Sequence, residues 1–161
     1  MSIKIGDRIP EATLQYIREG VEIIDTPTLF NGRPVVMFAV PGAFTPTCSE
    51  HHLPGYIERM PEFRARGIDV ACLAVNDPFV MHAWAQTLSV PDDLRMLSDG
   101  NATFARLLGL ERDSSGYGMG TRAQRFALYA EDGVVKVLEV DAPGEFRVTG
   151  ADHMLTRIDS P

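Results

Sequence analysis

The chain has 161 residues, of which 45% are hydrophobic and 23% are charged, and this balance is ordinary for a globular protein with one core. Its formal net charge of −7 argues against nucleic acid or an anionic membrane surface as a partner. No apolar run approaches the ~18 residues of a membrane-spanning helix, and the N-terminus lacks the apolar segment of a signal peptide. We therefore expect one domain over residues 1–161, located in the cytoplasm.

The first half of the chain predicts strands that alternate with helices. Apolar and polar residues alternate at 12–17 and 21–24, which indicates an N-terminal β-hairpin, and Thr26 is placed to cap a short helix after it. The continuous apolar run at 35–40 is typical of a strand buried on both faces of a parallel sheet, and residues 68–75 are predicted as a second buried strand. A helix should start at Thr45-Pro46, kink at Pro54-Gly55 and continue to residue 66, and another should cover residues 79–88.

The second half predicts a short strand at 95–97, a helix at 101–108 and a glycine- and serine-rich loop at 111–121. The Asp132-Gly133 pair indicates a hairpin between strands at 125–130 and 134–140, and a C-terminal amphipathic helix follows at 151–158. This order of elements favours an α/β fold, with a central mixed β-sheet and helices on both faces.

The two cysteines occupy different environments. Cys48 falls in the first turn of a helix that follows a buried strand, where unpaired N–H groups and the helix dipole favour a thiolate. Arg122 and Arg125 are candidates to add a permanent positive charge, since both lie near the start of a later strand. Cys72 lies within a strand and is expected to be a small buried hydrophobe. Two cysteines without a CxxC motif exclude a disulfide-stapled scaffold and a thioredoxin-type dithiol.

The residues around Cys48 resemble a known family. Residues 41–49 read PGAFTPTCS and contain the PxxxTxxC pattern, which resembles the Prx5-type peroxiredoxins, called type II in plants. Further matches are HLPGY at 52–56, VNDPFVM at 75–81 followed by Trp84, and RFAL at 125–128, so the resemblance covers nearly the whole chain. It implies a thioredoxin-like fold, with the N-terminal β-hairpin as an extension, and an enzyme that reduces hydrogen peroxide and alkyl hydroperoxides.

The resemblance also implies roles for four residues. Cys48 matches the cysteine whose thiolate attacks the peroxide and becomes sulfenic acid. Thr45 matches the threonine that hydrogen-bonds the peroxide, and Pro41 matches the proline that shields the thiolate from water. Arg125 matches the arginine that stabilises both the thiolate and the departing oxygen, where negative charge develops.

The resemblance leaves the reduction of the sulfenic acid open. Residues 143–161 contain no cysteine, and Cys72 matches a second cysteine of the plant-type members whose role varies. A Cys48–Cys72 disulfide requires Cα atoms within about 7 Å, so we expect it to need local unfolding. We favour a one-cysteine cycle regenerated by glutathione and glutaredoxin. The alternatives are reduction by thioredoxin with Cys72 as resolving cysteine, and a redox relay or sensor that passes oxidation from Cys48 to a partner protein.

Other candidate features carry weaker signals. Cys48, His51 and His52 are too few donors to indicate a metal site, so we expect no metal and no cofactor, with His51 facing solvent and His52 packing within a helix. Phe44 and Phe79 stand in a loop and at a helix start, where partial exposure is expected. The resemblance implies a homodimer built near the active-site loops, with these two residues at its interface.

Overall fold

The computed structural model describes residues 2–160, and most of its strands form one mixed sheet. The strands are β1 Thr13–Ile17, β2 Val21–Asp25, β3 Pro34–Ala39, β4 Asp69–Ala74, β5 Leu94–Ser98, β6 Glu111–Asp113, β7 Thr121–Ala123, β8 Phe126–Glu131 and β9 Val134–Val140. Seven of them pair in the order β2-β1-β5-β4-β3-β8-β9, and β6 and β7 pair only with each other.

Five α-helices and two short irregular helices connect the strands. The α-helices are α1 Thr26–Phe30, α2 Leu53–Ala65, α3 Pro78–Thr87, α4 Thr103–Leu108 and α5 Ala151–Asp159. A π-helix at Cys48–His52 runs directly into α2, and a 3₁₀ turn occupies Ser115–Tyr117. Within residues 2–160, no helix combines the length and apolar character needed to cross a membrane.

The central strands confirm the predicted α/β fold. Strands β3, β4 and β5 are parallel, and β8 pairs with β3 in the antiparallel direction. Val35 and Met37 pack with α1 and α4 on one face of the sheet, while Val36 and Phe38 pack with α2, α3 and α5 on the other. All four side chains are fully buried, which is why this run is apolar without alternation.

The N-terminal hairpin forms as predicted and extends the sheet. Strand β1 pairs with β2 along its whole length and reaches β5 through Gln15 and Ser98. The predicted cap of α1 is wrong by one residue, because the Asp25 carboxylate accepts the backbone N–H of Thr28 at 2.8 Å. The hydroxyl of Thr26 instead donates to the carbonyl of Pro10, which ties the chain before β1 to the start of α1.

Two segments differ from the sequence-based expectation. Part of the predicted loop at 111–121 is ordered as the β6–β7 ladder, whose three-residue strands are too short for an alternating pattern to be visible. The irregularity predicted at Pro54-Gly55 lies just before that pair, in the π-helix Cys48–His52, and α2 runs on from Leu53 to Ala65. The ring of Pro54 would clash with the carbonyl of Glu50 in a regular α-helix, and a widened turn avoids that contact.

Candidate active site

Cys48 lies at the beginning of the helical segment that follows β3. The backbone N–H of Ser49 donates to the carbonyl of Thr45 at 2.9 Å, so Pro46 is the first helical residue and Cys48 belongs to the first turn. Cys48 is fully buried, and its carbonyl accepts the N–H of Leu53 across the π-turn. The structure therefore places the thiol at a helix N-terminus, as the sequence predicts.

Arg125 contacts the sulfur directly. Its Nη2 donates to Sγ of Cys48 at 3.2 Å, and its Nη1 donates to Nδ1 of His52 at 2.7 Å. Arg125 immediately precedes β8, and Phe126 at the start of β8 pairs with Ala39 at the end of β3. The antiparallel register thus brings a residue distant in sequence to the end of β3, from which the Cys48 loop departs.

His52 holds the other arm of the Arg125 guanidinium. Burial, together with the positive charge of Arg125, lowers the pKa of His52 from 6.5 to about 3, so its imidazole is neutral at physiological pH. An arginine only donates hydrogen bonds, so Nδ1 of His52 must accept. The proton therefore resides on Nε2, which donates to the carbonyl of Thr149 at 3.1 Å.

The loop between β9 and α5 supports this arrangement. The carbonyl of Thr149 also accepts the hydroxyl of Tyr56 at 2.7 Å, and the Thr149 hydroxyl donates to the Asp141 carboxylate at 2.6 Å. The same carboxylate accepts the backbone N–H groups of Arg147 and Val148 at 2.8 and 3.0 Å. Asp141 is almost completely buried, so these three donors compensate for its lost hydration and fix the loop.

Phe146 completes the support for the arginine. Its ring packs against the imidazole of His52 with centroids 4.9 Å apart, and the guanidinium carbon of Arg125 lies 5.8 Å from its centroid. The second distance is compatible with a cation–π contact. Arg125 is consequently held through both hydrogen bonding and packing, which restricts it to the orientation that faces Cys48.

Thr45 and Pro41 lie at the opening toward solvent. The hydroxyl of Thr45 donates to the carbonyl of Gly42 at 2.6 Å, which leaves its oxygen lone pairs as the available hydrogen-bonding sites. A Cβ on Gly42 would come within 3.1 Å of the Met119 side chain and 3.2 Å of the Thr45 side chain, so a larger residue here would displace these two side chains by a few tenths of an ångström. The loop therefore has a fixed form around the thiol.

A cavity of about 370 Å³ opens over this loop. Its walls come from the Cys48 loop, the β6–β7 region, Arg125 and the loop after β9, and they comprise Pro41, Thr45, Pro46, Thr47, Arg112, Ser114, Tyr117, Met119, Gln124, Arg125, Asp141, Ala142, Pro143, Gly144 and Glu145. Three of the four predicted site residues, Pro41, Thr45 and Arg125, line it, and the fourth, Cys48, bonds to Arg125. The structure therefore brings all four together.

The remaining two candidates from the sequence, Arg122 and Cys72, have surroundings that differ from those of Arg125 and Cys48. Arg122 donates to the carbonyls of Met119 and Val75 at 2.7 and 3.2 Å, so it ties loops together, while Arg125 is the arginine bonded to the Cys48 sulfur. Cys72 is a free, fully buried thiol in β4, and burial raises its pKa well above the ordinary value, with the nearby Cys48 adding to the effect. Cys72 therefore has very little thiolate at neutral pH.

Two residues of the site escaped the sequence-based reasoning. His52 was expected only to pack within a helix, but both of its ring nitrogens are hydrogen-bonded and one faces Arg125. For Asp141, no role was predicted from the sequence. An acidic residue directly after the last strand is the only local signal for it, and that signal is weak.

Across residues 2–160, no group of three or more His, Cys, Asp or Glu side chains is arranged to hold a metal ion.

The two residues predicted at an interface, Phe44 and Phe79, do not line the cavity. Phe44 and Phe79 are 51% and 66% exposed, which confirms their predicted exposure.

Trp84 is buried, and its indole N–H donates to the hydroxyl of Ser49 at 2.9 Å, one residue after Cys48. The chain has one tryptophan, so its fluorescence is a natural probe of the site.

A buried free thiol at a helix N-terminus, bonded to a guanidinium inside a thioredoxin-like α/β fold, defines a thiol-based redox protein. Comparison with known proteins narrows this class. The family model described as Redoxin matches residues 4–155. Peroxiredoxin-2E-2, chloroplastic, from Oryza sativa subsp. japonica is 49% identical over 161 residues, covering 96% of this chain and 72% of the relative. Peroxiredoxin-2B from Arabidopsis thaliana is 42% identical over 156 residues, covering 95% and 96%.

Solved structures of peroxiredoxins are also similar to this chain. The reduced Prx3 from Vibrio vulnificus in complex with hydrogen peroxide is 46% identical with a TM-score of 0.92, covering 97% of this chain and 99% of that one. Peroxiredoxin 5 from Alvinella pompejana is 32% identical with a TM-score of 0.88, covering 99% of both chains. The chain belongs to the peroxiredoxins, in their type II, Prx5-like group, and it is a thiol-dependent peroxidase.

Proposed function

We propose that Cys48 is the peroxidatic cysteine and that Arg125 is its electrostatic partner. The observation that carries this assignment is the 3.2 Å hydrogen bond from Nη2 of Arg125 to the Cys48 sulfur, beside a cavity that opens to solvent. A guanidinium is always charged and donates in a fixed plane, so Arg125 is suited to stabilise negative charge that develops at the reacting atoms. The substrate is a peroxide and the reductant is a thiol, as for the family.

The reaction follows from this geometry. The Cys48 thiolate attacks one peroxide oxygen, an S–O bond forms, and the O–O bond breaks. The departing oxygen leaves as hydroxide or alkoxide and takes up a proton to become water or an alcohol, while Cys48 becomes sulfenic acid. Arg125 stabilises the negative charge that moves from the sulfur to the leaving oxygen, and His52 keeps the guanidinium in position.

Thr45 and Pro41 shape the peroxide site. Because the Thr45 hydroxyl proton is directed to the Gly42 carbonyl, its oxygen is oriented to accept a hydrogen bond from the O–H of a bound peroxide. Pro41 lines the same cavity and carries no backbone N–H, so it excludes water without competing for the peroxide. The two residues thus orient the substrate and keep the thiolate poorly hydrated.

We propose a one-cysteine cycle regenerated by glutathione and glutaredoxin. A glutathione thiolate attacks the sulfenic sulfur, an S–S bond forms, and the S–O bond breaks with release of water after protonation. A second thiolate, from glutaredoxin or glutathione, then attacks the mixed disulfide and restores the Cys48 thiol. The burial and raised pKa of Cys72 argue against it as resolving cysteine, which thioredoxin-linked reduction through Cys72 requires.

A coupled assay separates these possibilities. Peroxide consumption is measured with glutathione plus glutaredoxin and, separately, with thioredoxin, for the wild-type protein and the Cys72→Ser variant. We expect turnover with the glutathione system in both proteins. Turnover with thioredoxin alone that disappears in Cys72→Ser supports the resolving role instead. Peroxide-driven oxidation of Cys48 without turnover in either system supports a relay to a partner protein.

We also propose a homodimer with Phe44 and Phe79 at its interface. Aromatic residues are enriched at protein interfaces, and both of these side chains are exposed. Phe44 has φ of +65°, a strained conformation for a bulky residue that displays its ring on the surface. Sedimentation of Phe79→Ser should show more monomer than wild type. Ile23→Ser, at an equally exposed position on β2, is the matched control and should not.

The cytoplasmic location predicted from the N-terminus remains a proposal. The relatives' names include chloroplastic and mitochondrial proteins as well as proteins without a stated compartment. Residues 2–160 contain no membrane-spanning helix, which does not distinguish these compartments. Fractionation of cells that express the tagged protein tests the proposal, and recovery in an organelle fraction would overturn it.

A further inference from the structure

The cavity over the Cys48 loop is larger than hydrogen peroxide requires. Its volume of about 370 Å³ falls in the range of roughly 300–1,000 Å³ that pockets for small organic molecules occupy. Hydrogen peroxide has only two heavy atoms and would fill a small part of it. The remaining space faces Arg112, Ser114 and Tyr117, on the side formed by the β6–β7 region.

Arg112 is the cation in this wall whose charge has no partner. Among residues 2–160, no carboxylate forms a salt bridge with Arg112 and no acceptor receives a hydrogen bond from its side chain, although the residue is partly buried. The two carboxylates of the wall are otherwise engaged. Asp141 accepts three hydrogen bonds, and Glu145 forms a salt bridge with Arg147 at 3.6 Å.

The position of Arg112 in the β6–β7 ladder makes its charge costly to the fold. Arg112 lies directly opposite Arg122, and like charges at such paired positions destabilise a sheet. Arg125 is the second cation that lines the cavity. The Arg125 guanidinium is already hydrogen-bonded to Cys48 and His52, so Arg112 is the cation of this wall that is available to a ligand in the outer part of the cavity.

We propose that Arg112 binds a carboxylate of the molecule that occupies the outer part of this cavity, and that it is a specificity-determining residue. A planar guanidinium matches a carboxylate with two parallel hydrogen bonds. Two reactants supply that chemistry: glutathione, which has two carboxylates, and an organic hydroperoxide that carries one. The inference rests on the proposed role of Cys48, since both reactants must reach that sulfur.

Rate measurements with matched acids and esters test the proposal. Reduced protein is mixed with hydrogen peroxide, with a carboxylate-bearing alkyl hydroperoxide, and with the methyl ester of the same hydroperoxide, while Trp84 emission is followed. In a second arm, protein oxidised with one equivalent of hydrogen peroxide is mixed with glutathione or with glutathione diethyl ester. The proteins compared are wild type, Arg112→Gln, Arg112→Lys and the charge-loss control Arg18→Gln, which lies in the β1–β2 turn.

The expected result is a loss of rate that is confined to the reactant with a free carboxylate. Arg112→Gln slows the reaction of the acid about tenfold in at least one arm, leaves the ester and hydrogen peroxide unchanged, and Arg112→Lys recovers part of the loss. The arm that responds identifies the ligand as the reductant or the hydroperoxide. Equal rates for acid and ester with wild-type protein in both arms overturn the proposal, as does an equal loss in Arg18→Gln. A wild-type protein that hydrogen peroxide does not oxidise overturns the proposed function instead, because that reaction has no carboxylate.

Discussion

Replacing His52 by asparagine should make the stability of the protein less sensitive to acid. The pKa of His52 is lowered from 6.5 to about 3 in the folded protein, first by burial and then by the charge of Arg125. Between these two values the unfolded chain binds a proton that the folded protein does not bind. Stability from the neutral imidazole is therefore fully present above pH 6.5 and is lost as the pH falls toward 3.

The magnitude follows from the difference between the two pKa values. Each pH unit within this window removes about 1.4 kcal/mol from the free energy of unfolding, and the whole window amounts to about 5 kcal/mol. That total is comparable with the entire stability of many domains, about 5–15 kcal/mol. The asparagine of the His52→Asn variant has no titratable group, while its side-chain oxygen is placed to accept the hydrogen bond from Arg125 that Nδ1 of His52 accepts.

Urea denaturation followed by Trp84 fluorescence measures this effect at several pH values between about 4.5 and 7. Below about pH 6, the wild-type free energy of unfolding should decrease more steeply with acid than that of His52→Asn, by about 1.4 kcal/mol per pH unit. His51→Asn, which changes the exposed neighbouring histidine, is the control and should retain the wild-type steepness. Parallel curves for the wild type and His52→Asn would refute the reasoning, whatever their absolute separation.

Three other substitutions test the site and its support. Arg125→Gln should slow oxidation of Cys48 by hydrogen peroxide about a hundredfold, because it removes a charged donor to the sulfur, and an unchanged stopped-flow rate contradicts this. Asp141→Asn should destabilise the protein by about 1–3 kcal/mol and slow the same oxidation, because one carboxylate receives three donors of the supporting loop; wild-type stability and rate together contradict its role. Cys72→Ser should retain turnover with glutathione and glutaredoxin while lowering stability by about 1–3 kcal/mol, because it buries a hydroxyl in β4, and lost turnover contradicts the one-cysteine cycle.

The sequence predicts those parts of the protein that local pattern and local chemistry determine. The run at 35–40 is apolar without alternation because β3 is covered on both faces, so its burial is visible in the sequence. The Asp132-Gly133 pair specifies the β8–β9 hairpin by turn chemistry alone, and both residues have positive φ. The position of Cys48 in the first turn of a helix is predicted from the same kind of local evidence, because Thr45-Pro46 marks a helix start just before it.

The remaining features depend on contacts between distant parts of the chain. The pairing of His52 with Arg125 exists because β8 lies beside β3, and no local pattern encodes that neighbour. Asp141 acts on loop groups that follow it, and these reach the site only when α5 packs against the sheet. The role of Arg112 likewise appears only when the β6–β7 ladder is placed over the Cys48 loop. Side-chain networks of this kind require the three-dimensional structure.

The most direct test of the account is the fate of Cys48 after a single addition of hydrogen peroxide. Reduced protein is treated with one equivalent of hydrogen peroxide, and a sulfenic-acid trapping reagent followed by peptide mass spectrometry locates the oxidised sulfur. We predict that the label is found on Cys48, that Cys72 remains a thiol, and that Cys48→Ser consumes no hydrogen peroxide when a thiol reductant is supplied. Wild-type peroxide consumption by Cys48→Ser would contradict the assignment of Cys48 as the peroxidatic residue.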